Sequence, residues 1–324
     1  MVKIRIWLAL VGCLFLMGHQ GISQQYPLSL TRFIHPYRLN LAAGGIDGKV
    51  TVSGIYRDQW NGLPGRPRGS SISISAPLNE WSGAWGAHLE DQRIGLEHHI
   101  TSLISYNQVF PMNQILISGG LGLGYQYLNV DYSSIRTPDG NYQGTIIDHN
   151  DPHLDLSQLA GQTINVHPAI YLQSHWFESG IELEWPLIYF SKEKTQFYTK
   201  NKNFKFLINK EYKVGKYELY SHLVVNSDFV QIQSEILLKI QVNGNIFGSI
   251  LWRGFNENTL DGVGGMVGFR LNSKIWLVYG VELPLNKIKN QISGLNQEMG
   301  LRVQWNRSMS QYKIPLIYHP RWSD

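Results

Sequence analysis

Apolar and polar residues alternate one for one along most of this chain. From 115 to 127, Ile115, Ile117, Leu121, Leu123, Tyr125 and Tyr127 share one parity, and Ser118, Gly120, Gly122, Gly124 and Gln126 the other. From 230 to 242, Val230, Ile232, Ile236, Leu238, Ile240 and Val242 oppose Gln231, Gln233, Glu235, Lys239 and Gln241. Similar stretches cover 71–76, 263–271, 275–283 and 299–305, and none has a helical period. Period two places successive side chains on opposite faces of a strand. The spacing predicts strands near 48–56, 69–77, 82–89, 98–107, 114–129, 164–173, 179–185, 203–209, 216–225, 230–242, 246–254, 262–271, 274–284 and 296–306.

Alternation alone suits a soluble sandwich as well as a membrane barrel. Strand length and polar-face chemistry separate the two. Many of the strands approach the roughly 9–11 residues that a tilted membrane strand needs. Their polar parity is mostly Gly, Ser, Gln and single charges, suited to a hydrated lumen behind a lipid-wetted exterior. An even strand count is what a single-chain bacterial barrel requires. If the first strand runs outward, Leu78-Asn79-Glu80, Asn243-Gly244-Asn245 and Asn272-Ser273 are short periplasmic turns. The long connections 57–68, 130–163, 186–202, 255–261 and 285–295 then face the surface, and only 226–229 breaks the asymmetry. The expected fold is all-β, a single transmembrane antiparallel β-barrel of about fourteen strands.

The amino terminus supplies the address. Lys3 and Arg5 precede the apolar run Ile6–Met17, and Gly21-Ile22-Ser23 offers small residues before Gln24. Residues 1–23 therefore read as a secretory signal peptide, too short for a membrane helix. Leu10-Val11-Gly12-Cys13 has the outline of a lipoprotein box, but Leu14-Phe15-Leu16-Met17 continues the apolar run beyond it. Residues 24–306 are expected to form the barrel domain and 307–324 a periplasmic tail. Composition narrows the rest. Charged residues make up 16% of the 324, the net charge is +4, and no basic cluster suggests a nucleic-acid partner. A single cysteine excludes a disulfide framework.

Within this frame Tyr56-Arg57-Asp58-Gln59-Trp60 closes the first strand and opens a loop carrying Gly62-Leu63-Pro64-Gly65-Arg66-Pro67. This run resembles the Tyr-Arg-x-Gln-Trp segment of the PorP/SprF family, outer-membrane proteins of type IX secretion and gliding in Bacteroidetes. Asn40-Leu41-Ala42-Ala43-Gly44 resembles its Asn-Pro-Ala-x-Gly segment, with Leu41 in place of the proline. Ser75-Ala76-Pro77-Leu78 is similar to its second strand and turn. Trp185-Pro186-Leu187 stands where the family often carries Pro-His, so the histidine is missing. Tyr279-Gly280, Leu285, Ser293-Gly294, Glu298-Met299 and Leu301-Arg302 resemble the closing hairpin. The resemblance spans about 24–306. It implies an outer-membrane, non-enzymatic role without cofactor, in protein secretion, adhesin display or gliding. The implied partners are other type IX envelope proteins and a large secreted adhesin. A channel for small solutes is the alternative.

Candidate residues carry two readings each. Tyr56, Arg57, Asp58, Gln59 and Trp60 form either a partner-docking point or a rim ion pair with a girdle aromatic. Glu182, Glu184, Glu235, Lys239, Arg270, Glu282 and Arg302 share lumen parity, and either tune a passage or pair with one another in a packed lumen. Asp148, Asn150, Asp151 and Asp155 offer oxygen ligands but lack the glycine and terminal glutamate of a calcium loop. His98 and His99, like Ser221 and His222, are adjacent on a strand and diverge, which argues against zinc and against a hydrolase pair. Glu182 and Glu184 share a face, ~7 Å apart by strand geometry, with no groove signal around them.

Overall fold

A computed structural model describes residues 29–61, 63–78, 83–132, 135–141, 148, 150, 158–191, 202–254, 262–285 and 295–306. The expected signal peptide and carboxy-terminal tail lie outside these residues. Among the described residues fourteen antiparallel strands close into one barrel. They are β1 (Lys49–Asp58), β2 (Arg68–Leu78), β3 (Gly83–Ile94), β4 (Glu97–Met112), β5 (Ile115–Asp131), β6 (Gln158–Ser174) and β7 (Glu178–Ser191). The circuit continues with β8 (Asn203–Val214), β9 (Tyr217–Ser227), β10 (Ile232–Val242), β11 (Ile246–Arg253), β12 (Gly262–Arg270), β13 (Ile275–Pro284) and β14 (Asn296–Asn306). Each strand pairs with its chain neighbour, and β1 pairs with β14, Lys49 opposite Asn306, to close the wall. The circle leaves no sheet edge, which is how β-structure crosses hydrocarbon with its backbone satisfied.

Each expected strand is present, and the differences are in length. Expected 82–89 and 98–107 extend to 83–94 and 97–112, so the loop between them contracts to Gly95-Leu96. That tight hairpin, beside the short β9–β10 link, is a second exception to the rule of long surface loops. The missing alternation has a cause: Glu90, Asp91, Arg93, His98 and His99 are on parts of β3 and β4 far from the short-turn end. Beyond the bilayer lipid no longer selects apolar side chains. β4, β5 and β6 run to 16–17 residues, more than the hydrocarbon requires. In the β10–β11 turn, Asn243 and Gly244 both take positive φ (51° and 65°), the conformation for which Asn-Gly is favoured in tight hairpins.

The outward parity is as read from the sequence: Ile72, Leu121, Leu123, Leu238, Phe269, Leu283 and Met299 are exposed to the surroundings. The inward face holds more than water. Residues 29–48 enter the barrel as a compact segment of a 3-10 turn (Thr31–Ile34), one helical turn (Pro36–Leu39) and a second 3-10 turn (Leu41–Ala43). Leu30, Ile34, Tyr37, Leu39, Leu41, Ala42 and Ile46 are buried against the inner wall. There they meet Leu237, Leu251, Met266 and Val278 on one side and Val109, Leu116, Leu207 and Val224 on the other. The core of this barrel is its lumen.

Candidate functional site

The inserted segment runs from the long-loop half of the lumen toward the short-turn end. At its start, Glu298 on β14 is 4% exposed and accepts four hydrogen bonds. The donors are the backbone N–H of Leu30 and of Thr31 (both 2.8 Å) and the hydroxyls of Ser29 and Thr31 (both 2.9 Å). One turn on, Arg32 donates to Glu235 at 2.6 Å, and Glu235 is wholly buried. Glu235 also accepts from Arg253 Nε at 3.0 Å, and Arg253 Nη1 reaches both oxygens of Glu282 at 2.8 and 3.0 Å. Two cations and two anions thus alternate across the segment and three strands. Such a network is strongly destabilised by loss of one member, because an unpaired charge stays behind.

Lower down, His35 spans two hydroxyls, with Nδ1 2.8 Å from Ser53 Oγ and Nε2 3.0 Å from Ser75 Oγ. Burial first, then the positive charges of Arg302 and Arg38, hold its pKa down at about 3. A neutral imidazole presents one donor and one acceptor, as two hydroxyl partners allow. Tyr37 bonds Ser105 at 3.0 Å, and burial chiefly pushes its pKa up to about 12. Asn40 accepts from the backbone of Ala42 and donates to the carbonyl of Ile181 at 3.0 Å. Leu41 N–H donates to Glu182 at 3.0 Å, and Asn107 donates to the carbonyls of Ala42 and Gly44 at 3.2 Å each. The chain leaves at Asp47, bonded by Gln304, and becomes β1. Wall glycines make room for the insert. A Cβ on Gly120 would stand 2.6 Å from Leu41 Cδ1, and one on Gly86 would strike the Tyr37 ring.

The lumen charges named from the sequence fall into separate groups. Glu235 and Glu282 join the network of Arg32 and Arg253. Glu182 meets Lys205 at 3.6 Å, and His167 lies 3.6 Å from Glu182 and 3.8 Å from Glu184. Lys239 sits over the Tyr220 ring at 3.6 Å, and Arg302 lies over Trp276 while donating to the Ile34 carbonyl. Arg270 stays at the short-turn rim, donating to carbonyls of Asn272, Gly244 and Ser273. In the Tyr56–Trp60 run the residues divide. Arg57 and Gln59 are buried, Tyr56 faces outward, and Asp58 pairs with Arg66 at 2.6 Å. Trp60 adopts positive φ and its N–H donates to Asn296 at 2.9 Å.

Other candidates stay apart. His98 pairs with Asp91 at 2.7 Å and His99 with Glu97 at 2.8 Å. His222 bonds Asn209 and stacks on Tyr220, away from the outward-facing Ser221. Of the loop acids, Asp148 accepts from Asn150 N–H, whereas Asp151 and Asp155 lie outside the described residues. Arg32, His35, Asn40, Arg253 and Glu298 carry the insert, yet the sequence reading gave them no site role. For Arg32, His35 and Asn40 the signal was a stretch of 29–48 with buried-type residues but neither strand nor helical period, and for Arg253 and Glu298 it was a charge on an inward-facing strand position.

With this geometry in hand, the comparisons decide the family. The model of the family described as "Type IX secretion system membrane protein PorP/SprF" matches residues 22–299. The chain belongs to the PorP/SprF family. It is thus a membrane component of type IX secretion, and its closed barrel places it in the outer membrane. No curated protein matches the chain significantly. Among solved structures, a FadL homologue of Pseudomonas aeruginosa is 9% identical, with TM-score 0.45, covering 85% of this chain and 93% of its own. Omp33 of Acinetobacter baumannii is 6% identical, with TM-score 0.43, covering 80% and 97%. Outer membrane phospholipase A of Escherichia coli is 8% identical, with TM-score 0.34, covering 80% and 92%. These are likenesses in barrel shape, and nothing about activity follows from them.

Proposed function

We propose that this PorP/SprF protein is a non-enzymatic, self-plugged barrel that holds other type IX envelope proteins, and a large secreted adhesin, in position at the outer membrane. The observation that supports this reading is the filling of the lumen by residues 29–48, anchored through Glu298, Glu235, Glu182 and Asn107. A segment tied to the wall by buried charges occupies the path a solute would take, which weighs against the small-solute channel. The work of such a protein is positional, with energy supplied elsewhere. The long connections at one mouth and the short turns at the other give it two separate faces for partners. The Tyr56–Trp60 run, at the base of the first long connection, is the proposed contact on the loop side.

Mild crosslinking in cells followed by co-purification is the direct test, with envelope secretion proteins or a surface adhesin expected in the eluate. Gene deletion is expected to abolish export or display of specific clients while other envelope functions survive. Robust single-channel current from the purified barrel, or normal export of every client without a second copy of the gene, overturns the proposal.

A further inference from the structure

Below the inserted segment the lumen is not full. A cavity of about 270 Å³ lies between the underside of the insert and the short-turn rim, against β6–β14. Its roof is Phe33, Ile34, Pro36 and Leu39, and its walls include Phe247, Met266 and Trp276. Lys239 and Gln241 point inward yet remain half-exposed, so solvent reaches this space from the short-turn mouth.

The charges around the cavity are unequally satisfied. Glu178 accepts from Tyr171, Gln173 and Asn209, and Glu218, two strands over, accepts from Tyr220 and Gln241. Glu211 has Lys213 at 3.9 Å. The cations differ. Lys239 Nζ has aromatic faces, Tyr220 at 3.6 Å and Phe247 at 5.5 Å, and no carboxylate within ion-pair distance among the described residues. Arg302 spends one nitrogen on the Ile34 carbonyl, lies over Trp276, and leaves Nε buried without a partner. Ring faces stabilise a cation but leave its N–H donors unused: those of Lys239 face the solvent that enters here, and the buried Nε of Arg302 meets no acceptor, which is costly. Asp47 acts on Arg302 and Glu211 on Lys239 through space, without an ion pair to either among the described residues, so both cations keep donors for an anion, and the walls offer an apolar body a place to sit.

We infer that this periplasm-facing cavity is a binding site for a carboxylate carried on an apolar body, its oxygens taken by Lys239 and Arg302 and its carbon chain lying against Phe33, Phe247 and Trp276. At about 30 Å³ per water-sized group the cavity holds roughly nine such groups, the scale of a medium-chain carboxylate or of a peptide's last aromatic residue. A free amphiphile and a peptide carboxyl end share this chemistry. The site is independent of the scaffold role, because it draws on the inward face of the strands rather than on the surface loops.

The test uses the mature full-length protein in nanodiscs and isothermal titration with three probes: octanoate, its neutral isostere octanamide, and N-acetyl-alanyl-phenylalanine with a free carboxyl end. Saturable binding is expected for at least one carboxylate, at least tenfold tighter than octanamide. Octanoate alone identifies a free amphiphile as the source, and the peptide alone identifies a chain end. Lys239→Gln is expected to weaken that binding at least tenfold while leaving the heat-modifiable gel mobility of the barrel unchanged. Arg302→Gln is the second variant, with hydrogen exchange at Phe33–Ile34 reporting whether the insert stays seated. Equal affinity for carboxylate and amide, no binding by any probe, or full affinity in Lys239→Gln each overturns the assignment.

Discussion

Glu298→Gln isolates the anchor at the start of the insert. The carboxylate takes four donors, two of them backbone N–H groups. The amide keeps one acceptor oxygen and turns an NH2 toward the remaining donors. Ser29 and Thr31 hydroxyls can rotate away, but a backbone N–H cannot. Hydrogen bonds to a charged group contribute about 1.5–3 kcal/mol, and an unsatisfied buried donor costs about 1–3 kcal/mol. Losing the charge from the surviving bonds and stranding one N–H together cost about 3–5 kcal/mol of docking free energy, since such terms do not add fully. At 1.4 kcal/mol per decade this is a rise of about a hundredfold to a few thousandfold in the undocked population. Hydrogen-exchange mass spectrometry in nanodiscs reads it directly on residues 29–33, with the amides of β5 and β6 as the internal reference. Exchange at Leu30 and Thr31 is expected to accelerate on that scale while the reference is unmoved. An acceleration below threefold refutes the anchor, and loss of protection throughout the wall shows that the residue serves the barrel instead.

Three further outcomes follow. Glu235→Gln leaves Arg32 and Arg253 facing a neutral group in a sealed site, and is expected to cost about 3–5 kcal/mol, read as a fall in the urea midpoint of gel-mobility unfolding. Gly120→Val is expected to cost about 1–3 kcal/mol by overpacking against Leu41 and Ala42, whereas Gly119→Val, with open space at its Cβ, is expected to be near neutral in the same assay. His35 contributes a pH dependence. Its folded pKa of about 3 lies below the unfolded value of 6.5, so the unfolded chain binds the extra proton. The insert therefore keeps its full stability above pH 6.5 and loses about 1.4 kcal/mol per unit as pH falls toward 3. His35→Gln is expected to flatten that slope in exchange rates at 33–37, and an unchanged slope rules His35 out.

Strand number, order and facing were legible because lipid enforces a strong rule: side chains on the outer parity are mostly apolar, with small exceptions such as Ser102 and Ser221. The inner parity obeys a weaker one. Leu237 and Val278 stand on the lumen side although they are apolar, and Leu237 has Glu235 and Lys239 two residues to either side. They make sense only once Leu30 and Ile34 are inside the barrel. Periodicity reports a repeating division between two surroundings, and the insert, buried over most of its length, has none. Strand ends above the bilayer were illegible for the opposite reason. At Glu90–Arg93 and His98–His99 backbone pairing continues where the apolar selection has ceased. Glu298 showed the correct parity beside Gly300 and Arg302, but parity does not reveal a partner 268 residues away.

The position of Glu298 also bears on how the molecule is made. Ser29–Thr31, near the beginning of the chain, are clasped by the final strand, and the barrel shuts only where that strand meets β1. The early segment must therefore already be within the cylinder, or thread into it, when the seam zips. Biogenesis of this protein is a ship-in-a-bottle problem whose cork is its own first stretch, and no half of the wall has its complete interior until the last hairpin arrives.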